Sequence, residues 1–258
     1  MHNSKVIRKL KTHTPIFCAK THLCDPSVVE IFGYCGFDCV WIDMEHTPVN
    51  FESALNQVRA AKMTGMDSMV RVPRGCYSDF IRPLEMDATG LMVPHVFSPE
   101  EAEQAVRWSF FKPKGQRPID AGNNDGHFCM LELRDYVRYC NEEKFLMLQI
   151  EDKEAVDRID EITEVKGVDI FYLGTLDLTQ SYGTPGEFNN PEYVAGRDRV
   201  IETLRKKKLP WGIPCKTEDI SRYYAMGCVF FVLGSDTTAV AQVFKDKLAK
   251  ATSMVGTV

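Results

Sequence analysis

Val40-Trp41-Ile42-Asp43-Met44-Glu45-His46 is an apolar run that turns abruptly into acid, acid and imidazole. A buried strand whose C-terminal tip delivers charged groups has the pattern of a catalytic strand in a parallel barrel. Asp43 and His46 are close enough in sequence to share one site. A carboxylate beside an imidazole can orient the ring and set its tautomer near neutral pH. The same stretch also reads as a strand followed by a helix-capping acid and a surface histidine, because charged residues routinely follow strands. The segments on either side decide between the two.

Working outward, a short apolar strand over 15–19 ends at Lys20. Asp25-Pro26 opens a helix, with Asp as N-cap and Pro in the first turn. Further strands are expected over 68–72, 91–94, 145–150, 170–173, 211–215 and 229–233, separated by helical patterns over 51–63, 79–87, 98–111, 130–142, 153–163, 191–207, 218–225 and 237–249. Residues 112–127, rich in Pro, Gly and Asn, form a long loop, and loops of that length inside a compact domain are usually functional or mobile. With the opening stretch this makes eight apolar strands alternating with helices and no break in composition. Such a chain closes most naturally into a (β/α)₈ TIM barrel, an α/β fold. An open doubly wound sheet is disfavoured because no Gly-x-Gly-x-x-Gly follows the first strand. Residues 1–14 are expected to be an N-terminal extension and 15–258 a single barrel domain.

The chain has 258 residues, 44% hydrophobic and 26% charged, which is enough to bury a large core. Its net charge of −5 argues against a nucleic-acid surface. The one dense basic run, Arg205-Lys206-Lys207-Lys208, ends a helix, where cations suit the dipole. Nine cysteines with no Cys-x-x-Cys pair fit buried, reduced thiols and no zinc site. No apolar run approaches membrane-spanning length, and residues 1–15 carry no signal core, so a cytoplasmic location and no membrane partner are expected.

In a barrel, function belongs at the C-terminal strand ends. Those positions hold Lys20, Asp43, Glu45, His46, Arg71, His95, Gln149, Glu151, Asp177, Lys216 and Ser235. Glu151 and Asp177 end neighbouring strands, where two carboxylates repel unless something positive lies between them. A divalent cation with oxygen ligands does that, and Mg²⁺ or Mn²⁺ suits the donor set. The plainer reading is two solvated acids capping the helices that follow. Arg71 offers a rigid donor fork for a carboxylate or developing enolate, or an internal ion pair with Asp43 or Glu45. His95 follows Pro94 and reads as structural. Lys20 and Lys216 are the lysines placed for a Schiff base, although neither lies in an evident apolar setting that would lower its pKa.

These residues, in this order, resemble the HpcH/HpaI aldolases, the metal-dependent pyruvate aldolases typified by 4-hydroxy-2-oxoheptanedioate aldolase. The matching pieces are Gly36-Phe37-Asp38, Ile42 through His46, Val70-Arg71-Val72-Pro73, Val93-Pro94-His95-Val96, Gln149-Ile150-Glu151, Gly174 through Leu178 with Gly183 and Gly186, and Gly234-Ser235-Asp236-Thr237. They run from about Phe17 to Leu248. The resemblance implies metal on Glu151 and Asp177 (Mg²⁺ or Mn²⁺, with Co²⁺ also admissible). It implies His46, oriented by Asp43, as acid/base, and Arg71 as the group stabilising an enolate oxygen. A 2-oxo acid would sit against Arg71, Gln149, Gly174, Thr175 and Leu176. It further implies a homo-oligomer, a hexamer or trimer, whose last helix packs on a neighbouring subunit.

The expected reaction is reversible cleavage of a 4-hydroxy-2-oxo acid to pyruvate and an aldehyde. Alternatives are an acyl-CoA lyase of the same superfamily and a non-catalytic 2-oxo-acid-binding barrel. The sequence departs from the family pattern at Thr175, at Pro118 in the long loop and at Glu85, where the family places an acid reaching across the subunit interface. These departures bear on the aldehyde end of the pocket.

Overall fold

The computed structural model describes residues 3–256. Strands β1 (Ile16–Thr21), β2 (Cys39–Asp43), β3 (Asp67–Arg71), β4 (Gly90–Val93), β5 (Phe145–Ile150), β6 (Ile170–Leu173), β7 (Trp211–Pro214) and β8 (Cys228–Ser235) alternate with helices. They close into a barrel in sequence order, and each pair, including β1 with β8, is parallel. The expected eightfold α/β barrel is the fold observed.

Side-chain alternation explains how these strands build both a core and a site. Val40, Ile42, Val70, Leu146, Leu148, Phe171 and Leu173 face outward and pack under the helices. Cys18, Trp41, Met69, Met147 and Tyr172 belong to a separate inward cluster that fills the barrel. Successive side chains on a strand point to opposite faces. The next inward positions towards the C-terminal ends are therefore Lys20, Asp43, Arg71, Gln149 and Gly174. The apolar interior thus passes directly into a polar layer at the mouth.

The opposite end is stoppered. Residues read from sequence only as a polar extension include the helix Lys5–Lys11, whose Val6 and Ile7 join the inward cluster. Ser4 Oγ and the Val6 N–H both donate to Asp67 Oδ2, at 2.7 and 2.8 Å, tying this helix to the foot of β3.

Three local expectations change. The helical pattern over 153–163 is two short helices, Lys153–Asp157 and Ile159–Ile162, separated at Arg158. The run beginning at Gly174 opens a helix, Thr175–Ser181, with Asp177 in its first turn. The loop after the helix Pro99–Ser109 is pinned by a fully buried pair, Arg117 Nη2 to Asp125 Oδ2 at 2.7 Å, with the Tyr136 hydroxyl donating to the same oxygen at 2.9 Å. Among the described residues, no helix is long and apolar enough to cross a membrane.

Candidate active site

The mouth of the barrel is a cavity of about 1780 Å³ lined by Lys20, Trp41, His46, Arg71, Gln149, Tyr172, Gly174, Thr175, Leu176, Asp177 and Lys216, among others. Trp41 and Tyr172, packed edge to face at 5.6 Å, belong both to this lining and to the inward cluster. Lys20 Nζ and the Arg71 guanidinium both lie against the Trp41 ring, at 4.6 and 4.8 Å from its centroid.

Asp43 is fully buried and accepts from Arg71 Nε at 2.9 Å and Nη2 at 2.6 Å. Lys20 Nζ reaches the same carboxylate at 2.8 Å. Burial pushes Asp43 up, but the hydrogen bonds and charges of Arg71 and Lys20 hold it well below the usual carboxylate range. Arg71 Nη1 also meets Glu45 at 3.1 Å. The internal ion pairs anticipated for Arg71 therefore both form. Each Nη still carries an N–H that these contacts do not use, and Arg71 lines the cavity.

One expectation is overturned. Asp43 does not orient the His46 ring: it accepts the backbone N–H groups of Glu45 and His46, at 3.1 and 3.3 Å, and so shapes the turn instead. Its inward direction is set by strand alternation, whereas His46 lies beyond the strand with its ring exposed. The carboxylate beside that ring is Glu45, with Oε2 at 3.5 Å from Nε2.

Glu151 is fully buried at the end of β5. Its Oε1 accepts the His95 backbone N–H at 3.0 Å, and Gln149 Nε2 donates to Oε2. Burial pushes Glu151 up to about 8; His95 pulls it down and the nearby charge of Asp177 pushes it further up. His95 is raised to about 9, chiefly by its Nδ1 contact with Asp152 Oδ2 at 2.9 Å. Ligand atoms of His95, Glu151 and Asp152 all lie within 4.8 Å of one another, the geometry of a candidate cation site. Asp177 stands at the rim beside it.

The donors fit a hard divalent ion. Glu151 is an acid buried without enough positive charge around it, the neighbouring groups are oxygen-rich, and Gln149 Oε1 is buried with no hydrogen-bond partner.

Of the trio His95, Glu151 and Asp152, the sequence reading takes His95 as structural and does not single out Asp152. Met92 faces inward, so alternation sends His95 outward, but it adopts φ of +49°, a left-handed turn that swings it back over the mouth. Nothing in the sequence marks that turn. Lys20, read from the sequence as lacking a setting that lowers its pKa, has one: burial and the charge of Arg71 lower it despite Asp43. Lys216 is exposed at the rim. Glu85 ends the helix Tyr77–Glu85, and its carbonyl accepts the Asp125 N–H at 3.3 Å, beneath the long loop and outside the mouth lining.

Gly174 is a close-approach position. A Cβ there would stand 2.4 Å from Glu151 Oε2 and 2.8 Å from Gln149 Nε2. Its φ of −81° is open to any residue, so Gly174→Ala should leave the barrel folded and displace the acid. Because misplacement by about 1 Å can cost about 100-fold, a loss of that order in turnover is expected with little change in melting temperature. Steady-state assay beside thermal melting checks it, and a wild-type rate would mean Glu151 need not stand where it does.

A closed parallel barrel that gathers acids, an arginine and histidines at one mouth has the architecture of a barrel enzyme. A sequence model of the HpcH/HpaI aldolase/citrate lyase family matches residues 21–242, and the chain belongs to that family. It is 31% identical over 215 residues to 5-keto-4-deoxy-D-glucarate aldolase of Enterobacter sp. (strain 638), covering 83% of each chain. It is also 31% identical over 242 residues to a pyruvate aldolase of Rhizobium etli, covering 93% of each. Among solved structures it is similar to the citrate synthase SbnG (28% identity, TM-score 0.89, covering 96% of this chain and 98% of that one). An HpcH/HpaI aldolase from Desulfitobacterium hafniense DCB-2 is also similar (25% identity, TM-score 0.88, covering 95% of each). The protein is accordingly an aldolase-type carbon–carbon lyase.

Proposed function

We propose that the protein reversibly cleaves a 4-hydroxy-2-oxo acid to pyruvate and an aldehyde, using Mg²⁺ or Mn²⁺ held by Glu151 and Asp177. The observation that carries this reading is Glu151: a carboxylate buried at a strand end, raised to about 8, with a second acid adding to its discomfort. Glu151 is shared between this ligand pair and the tighter His95–Glu151–Asp152 trio. A divalent ion, when bound, would polarise the keto oxygen of the substrate.

The chain's own groups supply the rest. Arg71, immobilised by Asp43 and Glu45, donates its unused N–H groups to the oxygen that gains charge as the enolate forms. His46, with Glu45 at 3.5 Å, takes the proton of the C4 hydroxyl. The C3–C4 bond then breaks, its electrons become the enolate of pyruvate, and the aldehyde leaves. A proton returned to C3 completes pyruvate. Gln149, Gly174, Thr175 and Leu176 wall the keto-acid end, while Trp41 and Tyr172 form an apolar floor.

Copies of the chain associate, as a trimer or hexamer, through the last helix, Asp236–Val255. Its Val240, Val243, Phe244 and Leu248 are exposed at helical spacing, a stripe suited to burial on a neighbouring subunit. Glu85 is then the acid offered across that interface.

Retro-aldol cleavage, read as pyruvate released before and after chelation, tests the reading. Activity should vanish with the metal and return with Mg²⁺ or Mn²⁺, and turnover that survives complete metal removal would sink the assignment.

A further inference from the structure

The ammonium of Lys20 is a mostly buried strand-end cation that the mechanism above does not use. Its side chain is only 17% exposed, yet it lines the mouth cavity. One N–H is engaged by Asp43 at 2.8 Å, and the Trp41 face lies 4.6 Å away. An indole face stabilises the charge but accepts none of the remaining N–H groups in the manner of an oxygen. Among the described residues, no other acceptor lies within hydrogen-bonding distance of it. A partly desolvated ammonium with free donors, facing a cavity, is a binding group awaiting an acceptor.

Its place in the barrel says which part of a substrate would supply that acceptor. Lys20 ends β1, paired with Trp41 of β2 and Ser235 of β8. In the closed order β1 lies across the mouth from β5 and Glu151. On the reading under Proposed function, the keto-acid end sits by Glu151, Asp177 and Arg71. Lys20 Nζ and Arg71 Nη2 share Asp43 Oδ2, so the ammonium flanks the enolate-stabilising group on the side of the mouth away from Glu151, the side towards which carbons beyond C4 would extend.

We propose that Lys20 is a specificity-determining residue that binds a carboxylate on the aldehyde-derived half of the substrate; this rests on the aldolase reading. Held by Asp43 and backed by Trp41, the ammonium cannot withdraw to bulk water. An anionic aldehyde gains a charge-assisted hydrogen bond that a neutral one of the same length does not. Such a bond is worth about 10- to 100-fold in discrimination.

The test uses the metal-loaded, full-length enzyme in the addition direction, with pyruvate and aldehydes of two to four carbons, each with and without a terminal carboxylate. For each variant the readout is the ratio of kcat/KM for the best anionic aldehyde to that for its neutral counterpart, so any loss of shared chemistry cancels. Wild type should favour the anion, Lys20→Met should lower the ratio about 10- to 100-fold, and Lys20→Arg should largely restore it. Lys20→Gln, one atom shorter but keeping a donor without the charge, serves in place of Lys20→Met if that variant does not fold. An unchanged ratio in the uncharged variant overturns the inference, as does borohydride trapping of pyruvate on Lys20. Deuterium exchange at the pyruvate methyl in the wild type separates the two levels. No exchange fells the aldolase reading and this inference together, whereas exchange with an unaltered ratio fells the inference alone.

Discussion

Arg71→Lys should lower kcat about 100- to 1000-fold, the cost of removing a donor aimed at developing negative charge. A lysine ammonium is a single point donor on a flexible stem. It cannot reproduce the Nε and Nη2 contacts to Asp43 at 2.9 and 2.6 Å together with the Nη1 contact to Glu45 at 3.1 Å. The charge survives the change but the fixed direction does not. Arg71→Met should add a stability loss of about 3–5 kcal/mol, because Asp43, fully buried, loses its principal counter-charge. Lys20 and two backbone N–H groups remain on Asp43, so the loss should fall near the lower end. The sign of its pH dependence follows from Asp43 being held below its ordinary 3.8: the stabilisation is present above that pH and is lost as the solution becomes more acidic. Steady-state kinetics and urea unfolding read the two effects separately. A wild-type kcat in Arg71→Lys would move the enolate-stabilising role to another group.

Metal affinity should climb with pH up to about 8 and then level off, because Glu151 keeps its proton to about that pH in the metal-free protein. Below it the ion must displace that proton, so affinity should change about tenfold per pH unit. Without metal, the folded state holds a proton that an unfolded chain releases near pH 4.5, so stability falls as pH rises from there towards 8. Added Mn²⁺ should therefore raise the melting temperature most at the alkaline end. Glu151→Gln removes the titrating charge; it should weaken metal binding at pH 8 by about 100-fold or more, flatten the pH slope and abolish metal-dependent turnover. Calorimetric titration of Mn²⁺ from pH 6 to 9 decides it, and a slope identical to wild type would remove Glu151 from the ligand set.

The barrel was legible in the sequence because each strand is a short apolar run bounded by turn residues, and the mouth because charged groups cluster where those runs end. What escaped was set by direction and distance. Asp43 and His46 are three positions apart, yet strand alternation sends one carboxylate into the barrel and leaves the ring in the loop beyond it. His95 joins Glu151 through a left-handed backbone turn at a non-glycine residue. The burial of Lys20 depends on Trp41 and Asp43, residues of the neighbouring strand. The first helix is short and mostly basic; only its packing into the foot of the barrel, tied by Asp67 some sixty residues away, makes it structural.

That stopper divides the protein's evolvable surface. With Val6 and Ile7 sealing one pole and reactive groups gathered at the other, substitutions at the sealed pole act on the population of folded molecules, whereas substitutions at the open pole act on what each molecule can transform. New acceptor preferences can therefore be explored by changing rim residues such as Lys216 while the apolar column beneath stays intact.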